Sequence, residues 1–216
     1  MAVGSGKRIP YSKSSAQIMN NPNTKDLLIE KATDLFYRFG YTKTPIRKIT
    51  ENLGVKNTLI YYYFQGKDHL LYSIIEKIAD DLVGGLNEII GRISDPLERL
   101  REMIYFHVTL LERKKKPVKV FVEDNDKLPL EMRLKIKEKE RQIYDLYARQ
   151  FQALVKAGKA KNIEIPLITF SLFGMINWTY RWFREEGTFN LDDVARRTIE
   201  ILFSGILLGT EMTGPG

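Results

Sequence analysis

Residues 40–71 read GYTKTPIRKITENLGVKNTLIYYYFQGKDHLL and contain the pattern of two short helices joined by a turn. The first predicted helix covers 45–52, because proline is favoured in the first turn of a helix and apolar residues then recur at helical spacing. Gly54 supplies the turn, and the second predicted helix runs from about Lys56 to Tyr63. Together they predict a helix-turn-helix unit, whose second helix can enter the major groove of DNA.

The second predicted helix and its neighbours supply the candidate DNA contacts. Its exposed positions are expected to reach the groove, while side chains on either side of it hold the DNA backbone. Lys67 is expected to act together with the positive end of the helix that it begins. The predicted DNA contacts are Thr44, Arg47, Lys56, Asn57, Thr58, Leu59, Tyr61, Tyr62, Tyr63 and Lys67.

This stretch resembles the N-terminal signature of the TetR family of one-component transcriptional regulators. The residues that carry the resemblance are Thr44, Ile49, Thr50, Gly54, Val55, Lys56, Thr58, Ile60, Tyr61, Tyr63, Phe64, Lys67 and Leu70. Three positions depart from the usual residue of the family: Lys56 replaces serine, Thr58 replaces glycine and Tyr63 replaces histidine. We expect the lysine to weaken the cap of the second helix by ~1 kcal/mol and to add a charge that attracts phosphate. These three departures affect which DNA bases the helix is expected to recognise, and not whether it binds DNA.

Basic residues are concentrated in the third of the chain that holds this motif. The 216 residues carry a formal net charge of +7. Residues 1–70 contain 11 Lys and Arg against 5 Asp and Glu, a net of +6, whereas residues 71–216 contain 23 against 22, a net of +1. A basic surface that serves only to keep a protein in solution does not predict that concentration. DNA binding does, because the phosphate backbone attracts Lys and Arg.

The composition argues against enzymatic and metal sites. The chain has no cysteine and two histidines, His69 and His107, so we expect no thiolate or histidine-rich metal centre. It contains neither a dinucleotide-binding fingerprint nor a nucleophile elbow, and we predict no cofactor and no enzyme activity. No apolar run approaches the roughly 20 residues that span a bilayer, and the first residues lack the apolar segment of a signal peptide. We therefore expect a cytoplasmic protein without a membrane partner.

Helical periodicity continues along the chain and predicts an all-α protein of about nine helices. The predicted parts are a basic N-terminal tail over 1–22, a helix-turn-helix domain over 23–70 and a larger ligand-binding and dimerisation domain over 71–216. The tail either reaches the minor groove of DNA or has no function. Besides the helices of the motif, helices are predicted over 23–40, 67–91, 96–115, 118–125, 129–158, 166–187 and 190–209. Within the second of these, Gly84 and Gly85 predict either a bend or a close packing point.

The resemblance implies that the last two helices pair two copies of the chain. In the TetR family these helices form a four-helix bundle across a two-fold axis. The corresponding helices here are apolar over much of their surface, which requires burial within a monomeric core or against a partner. We favour a homodimer, because two-fold pairing doubles the length of DNA that is read. The predicted interface residues are Phe170, Gly174, Trp182, Ile201, Gly205 and Leu208.

Residues 174–184, GMINWTYRWFR, carry a second resemblance, to TetR regulators of fatty-acid or sterol-chain degradation that respond to acyl-CoA thioesters. An acyl-CoA needs an apolar tunnel for its chain and cations for its phosphates, and tryptophan and arginine side chains supply both. The alternatives are that this segment packs at the dimer interface and that the aromatic residues and His107 of the central helices form core. The predicted ligand contacts are Arg101, Phe106, His107, Phe121, Tyr144, Tyr147, Phe151, Trp178 and Arg181.

The sequence therefore predicts a ligand-responsive, homodimeric repressor that binds a palindromic operator in double-stranded DNA. The candidate effector is a long-chain acyl-CoA, and the candidate targets are genes of fatty-acid or lipid metabolism. Two alternatives stay open. One is an efflux-pump repressor that senses a lipophilic drug, and the other is an architectural helical dimer with incidental DNA affinity.

Overall fold

The computed structural model describes residues 23–184 and 186–207, apart from the side chains of residues 111 and 112. The predicted tail over 1–22 and the predicted interface residue Leu208 lie outside the described residues. Within them the only β-type pairing is a single bridge between Ala160 and Leu207, which confirms the predicted all-α fold. The α-helices are α1 (Thr24–Phe39), α2 (Ile46–Leu53), α3 (Thr58–Tyr63), α4 (Lys67–Arg92), α5 (Pro96–Asp124), α6 (Leu130–Lys156), α7 (Ile165–Trp182) and α8 (Leu191–Ile206), and a 3-10 helix covers Asn125–Lys127.

The chain divides into two compact units between Ile74 and Ile75, within α4. The smaller unit contains α1, α2, α3 and the first turns of α4. Each of these helices turns an apolar stripe inward, as the helical spacing of its apolar residues requires. The buried side chains that fill this core are Leu28, Ala32, Leu35, Phe36, Ile49, Ile60, Phe64, Leu70 and Leu71.

Gly54 makes the predicted turn between α2 and α3. Its backbone is left-handed, with φ 64° and ψ 28°, a conformation that strains any residue carrying a Cβ. The N–H of Val55 then bonds to the carbonyl of Thr50 at 3.0 Å, and the Val55 side chain is buried as expected. This turn fixes the direction in which α3 leaves α2.

The larger unit contains the rest of α4 together with α5, α6, α7 and α8. Helix α5 packs against each of α6, α7 and α8, and so lies at the centre of this unit. The most deeply buried side chains of its core are Leu86, Leu100, Met103, Ile104, Tyr147, Phe151, Leu154, Leu172 and Ala195. None of the helices among the described residues combines the length and the apolar character needed to cross a lipid bilayer.

Helix α5 holds the two helices predicted on either side of Pro117. Lys114 is non-helical, with φ −132° and ψ 29°, and separates two helical segments that otherwise follow each other directly. Pro117 lies in the first turn of the second segment, where a helix needs no N–H donor. At the start of α5 the carboxylate of Asp95 accepts hydrogen bonds from the N–H groups of Leu97 and Glu98, which confirms the predicted cap.

Gly85 is a close packing point, and α4 runs through it without interruption. A Cβ atom at this position would lie 2.1 Å from Cζ of Phe106 on α5. A Cβ at Gly84 would meet no atom within 4 Å. Of the two alternatives predicted for these glycines, a bend or a close packing point, the structure shows the close packing point, at Gly85.

The predicted end of α7 is wrong, whereas α8 ends before Gly209, as predicted. Helix α7 ends at Trp182 rather than Gly187, because Phe183 takes an extended backbone and packs its ring against the core of the larger unit. Helix α8 ends at Ile206, because Leu207 leaves the helix to pair with Ala160. The predicted start of α8 is confirmed by a capping box between Asn190 and Asp193.

Candidate DNA-binding surface and ligand cavity

Helix α3 exposes one side of its surface to solvent. Tyr61 and Tyr62 are 61% and 80% exposed, which is unusual for tyrosine and leaves both rings available to a partner. Tyr62 packs edge-on against Tyr63, with ring centroids 4.9 Å apart. The side chains of Lys56, Asn57 and Thr58, at the start of the helix, are also exposed.

Two of the predicted DNA contacts are wrong, because the structure buries their side chains. Leu59 faces the core of the smaller unit together with Ile60. Thr44 is fully buried, and its hydroxyl donates to the carbonyl of Gly40 at 2.9 Å. Neither side chain presents a polar group to solvent.

Asn57 occupies the N-cap position of α3 but does not cap it. Its amide oxygen instead accepts a hydrogen bond from the hydroxyl of Thr50 on α2. This bond ties the first turn of α3 to α2 and fixes the side chain of Asn57. Thr50 was not predicted to have this role, since only the folded turn brings it beside Asn57.

The basic side chains around α3 are already engaged within the smaller unit. Arg47 is exposed, and its Nε donates to the carboxylate of Glu51 at 2.6 Å, an interaction that raises the pKa of the guanidinium. Nζ of Lys67 lies 4.0 Å from the centre of the Tyr41 ring. The hydroxyl of Tyr41 donates to Asp68, the next residue of α4.

The larger unit contains a cavity of about 550 Å³. Its walls come from α4, α5, α6 and α7, and most of them are apolar or aromatic. A smaller and more enclosed space of about 50 Å³, here called the inner part, shares five lining residues with it and has no charged lining residue. The cavity is lined by Leu82, His107, Phe121, Lys137, Glu140, Arg141, Ile143, Tyr144, Phe170, Phe173 and Asn177.

Charged side chains line only the outer part of the cavity. Lys137, Glu140 and Arg141 belong to one face of α6, together with Tyr144 one turn further on. Burial raises the pKa of Glu140, whose carboxylate accepts a hydrogen bond of 3.1 Å from the side chain of Asn125. No ion pair within the described part of the chain involves Arg141, so its guanidinium is available to an anion.

His107 lines both parts of the cavity. Burial lowers the pKa of its imidazole from 6.5 to about 4, so the ring is neutral near pH 7. Its Nδ1 lies 3.2 Å from the hydroxyl oxygen of Tyr147. That hydroxyl donates to the backbone carbonyl of Met103 at 2.9 Å.

Three of the predicted ligand contacts line this cavity: His107, Phe121 and Tyr144. Of the others, Tyr147 and Phe151 are fully buried core residues, and Phe106 packs on Gly85. The remaining predicted ligand contacts line neither part of this cavity; they are Arg101, Phe106, Tyr147, Phe151, Trp178 and Arg181.

The arginines of that set have other neighbours. The guanidinium of Arg101 lies 5.1 Å from the ring centre of Phe203, and that of Arg181 lies 5.5 Å from the Trp178 ring and 3.9 Å from Glu123. The cavity residues that sequence reasoning missed are Lys137, Glu140 and Arg141. Their spacing from Tyr144 puts all four on one helical face, a signal that could have found them.

Helices α7 and α8 carry large apolar side chains that are exposed in the single chain. Phe170 and Ile201 are each 64% exposed, and Trp182 is about half exposed. Gly174 and Gly205 are exposed as well, and a Cβ at either would meet no atom within 4 Å. These are the five predicted interface residues that the structure describes. Phe170 also stacks on Tyr144 at the cavity wall, with ring centroids 5.3 Å apart.

Comparison with known proteins places both units in one family. Residues 28–74 match the family described as bacterial regulatory proteins, tetR family. Residues 94–206 match the tetracyclin repressor-like C-terminal domain. The first match covers the helix-turn-helix, and the second covers every helix of the larger unit that follows α4.

Individual relatives are distant but extend over most of the chain. The HTH-type transcriptional repressor KstR2 of Rhodococcus jostii is 24% identical over 83% of this chain and 89% of its own length. The fatty acid metabolism regulator protein of Bacillus subtilis is 24% identical over 83% and 93%. The crystal structure of AibR in complex with isovaleryl coenzyme A and operator DNA superposes with a TM-score of 0.78, at 24% identity, over 83% of this chain and 97% of that one. The chain belongs to the TetR family of ligand-responsive, DNA-binding transcriptional regulators.

Proposed function

We propose that this regulator is a repressor of lipid-metabolism genes that leaves its operator when a long-chain acyl-CoA binds in the larger unit. The observation that carries the proposal is an apolar cavity whose outer part is lined by Lys137 and Arg141. The relatives support it: one is a fatty acid metabolism regulator, another is a repressor, and AibR has been crystallised with a coenzyme A thioester.

The chemistry of the cavity suits the two halves of such a ligand. The apolar walls remove an acyl chain from water, which contributes about 0.8 kcal/mol for each methylene group. A volume of about 550 Å³ lies within the usual range of small-molecule sites, roughly 300–1,000 Å³. Lys137 and Arg141 offer ammonium and guanidinium donors to the phosphates of coenzyme A.

The DNA-binding surface is proposed to consist of the exposed side of α3 and its flanking cations. Tyr61 and Tyr62 have the exposure needed to reach base edges, while Arg47 and Lys67 bind phosphates. Lys56, Asn57, Thr58 and Tyr63 complete this surface. When a DNA phosphate replaces Glu51 as the partner of Arg47, the guanidinium exchanges one anionic partner for another. The side chain of Arg47 therefore needs little rearrangement to bind the phosphate.

The repressor is proposed to act as a homodimer in the cytoplasm, on a palindromic operator. The exposed apolar side chains of α7 and α8 would be buried in the interface, with Gly174 and Gly205 permitting close approach of the two helix pairs. A two-fold axis places two copies of α3 in successive major grooves, which requires a palindromic site.

Helix α4 is the element that couples ligand to DNA in this proposal. It belongs to both units, and its residues Ile78 and Leu82 line the cavity. A ligand that prefers one placement of these side chains shifts the helix, and its effect on DNA affinity is limited to its differential affinity for the two states.

The proposal is tested by selecting bound sequences from a pool of random DNA duplexes. A repressor enriches one palindrome whose half-sites lie about one helical turn apart, at roughly 34–36 Å. An architectural dimer would instead bind all sequences with an affinity that rises with duplex length. Release of the selected palindrome by a long-chain acyl-CoA is then measured directly.

A repressor that senses a lipophilic drug is the second candidate, favoured by the aromatic side chains Phe121, Tyr144, Phe170 and Phe173 in the cavity wall. The two candidates differ at the outer part of the cavity. Replacing Lys137 and Arg141 with methionine weakens an acyl-CoA but leaves an uncharged drug unaffected. A drug that releases DNA from both proteins equally, where acyl-CoA releases neither, would favour this second function.

A further inference from the structure

His107 and Asn177 are the two polar residues that line both parts of the cavity. Its ring is otherwise surrounded by aromatic side chains, with the Tyr147 ring 6.0 Å and the Phe173 ring 6.3 Å away, centroid to centroid. The surface that the imidazole retains borders the cavity, so any ligand that enters the inner part meets this ring.

The hydrogen bonds around Tyr147 determine which nitrogen of His107 carries the proton. A backbone carbonyl can only accept, so the single hydroxyl proton of Tyr147 is directed to Met103. The hydroxyl oxygen is then left to accept from Nδ1 of His107, at 3.2 Å. A neutral imidazole has one N–H, and this arrangement places it on Nδ1.

Nε2 of His107 is therefore an unprotonated acceptor. No backbone or side-chain donor in the described part of the chain bonds to it. A ligand that fills the cavity beside Nε2 removes this acceptor from water, so a ligand group that supplies a donor is favoured over one that excludes water and supplies none.

We propose that His107 Nε2 accepts a hydrogen bond from a hydroxyl or amide N–H carried on the part of the ligand that enters the cavity. The chain thus selects ligands whose apolar body bears a donor over apolar ligands of the same size without one. For acyl-CoA ligands, this inference rests on the proposed function. It predicts that hydroxylated acyl chains bind more tightly than chains without a hydroxyl group. Tyr147 is the positioning residue, because it holds the tautomer that leaves Nε2 free to accept.

The tautomer is tested first, by 15N NMR of the full chain with labelled histidine. The chain has only two histidines, so the variant His69→Gln assigns the signals of His107. We expect a protonated Nδ1 and an unprotonated Nε2 near neutral pH. A proton on Nε2 would overturn the proposal. The variant Tyr147→Phe removes the acceptor for Nδ1–H and should move the proton partly to Nε2.

Donor selectivity is then tested with two neutral probes of similar shape, 2-naphthol and 2-methoxynaphthalene. Only the first can donate to Nε2. We expect the protein to bind naphthol about tenfold more tightly, as one net hydrogen bond implies. The variant His107→Phe should lose this preference, and His107→Gln should keep part of it.

Equal binding of the two probes, or binding of neither, would overturn the proposal. So would a naphthol preference that survives in His107→Phe. Neither probe carries a thioester or a phosphate, so this result is independent of whether acyl-CoA releases DNA. A regulator that fails to respond to acyl-CoA can still prefer naphthol. A regulator that responds to acyl-CoA but binds both probes equally would leave the repressor proposal intact and remove the proposed role of His107.

Discussion

Tyr61 and Leu59 are two residues apart in α3 and lie in opposite environments. Tyr61 is exposed and Leu59 is buried, so their replacement by alanine separates DNA binding from folding. We expect Tyr61→Ala to abolish sequence-specific binding without lowering the free energy of unfolding by more than about 0.5 kcal/mol. Leu59→Ala should destabilise the chain by about 2–5 kcal/mol. Urea unfolding and DNA-binding titrations check both variants, and a loss of helix content in Tyr61→Ala would contradict the assigned role.

His107 makes folding stability depend on pH in a defined window. The unfolded ring takes up a proton near pH 6.5, whereas the folded ring does so only near pH 4. The unfolded state therefore binds more protons as pH falls between these values, and the folded state loses up to about 3 kcal/mol relative to its stability at neutral pH. Above pH 6.5 the residue contributes no pH dependence.

The variant His107→Phe isolates this contribution from that of the carboxylates. The free energy of unfolding, measured by urea titration at several pH values, should fall less steeply in the variant than in the wild type between about pH 6.5 and about pH 4. Parallel curves for the two proteins would show that the ring is not held neutral.

At the scale of single elements, the two glycines of α4 give a matched pair of substitutions. Gly84→Ala meets no neighbour and should stabilise the helix by up to about 1 kcal/mol, because alanine restricts the unfolded chain. Gly85→Ala places a methyl group against the Phe106 ring and should destabilise the larger unit by about 1–3 kcal/mol instead. Thermal unfolding of both variants checks this, and equal effects of the two changes would refute the packing point.

Residues close together in the sequence were sufficient to predict the turns and helix caps. They were not sufficient to predict which side chains contact each other between helices. Gly54, the Asp95–Pro96 cap and the Asn190 capping box depend on neighbours in sequence, and each was predicted. Phe106 could not be assigned to Gly85, since the two residues meet only after α4 and α5 pack together. Leu59 was placed on the wrong side because a helix of six residues is too short for its periodicity to define a face.

The residues that line the cavity were likewise only partly predictable from the sequence. His107, Phe121 and Tyr144 were found from an aromatic pattern, but that pattern equally fits Tyr147 and Phe151, which the structure buries in the core. Only the packing of α5 against α6 and α7 distinguishes the two groups. The charged residues of the cavity had a usable signal, since Lys137 and Arg141 share a face of α6 with Tyr144.

At the scale of the whole molecule, the exposed apolar side chains of α7 and α8 predict the oligomeric state. Ile201 is 64% exposed and projects from α8. A charge at this position would be buried in the proposed interface without a partner, so Ile201→Glu should produce a monomer that retains its helix content and loses operator affinity. Analytical ultracentrifugation checks the prediction. The exposed Arg197→Glu, on the same helix, is the control for a change of charge alone, and a dimeric Ile201→Glu would place the interface elsewhere.

The central claim is that an acyl-CoA in the cavity releases the operator. The most direct measurement is the fluorescence anisotropy of the labelled palindrome during titration with a long-chain acyl-CoA, with free coenzyme A and free fatty acid as separate controls. The account predicts release by the thioester alone, and a requirement for about tenfold more thioester when Lys137 and Arg141 are both replaced by methionine. DNA that stays bound at every concentration of thioester, or that is released equally by free coenzyme A, would contradict it.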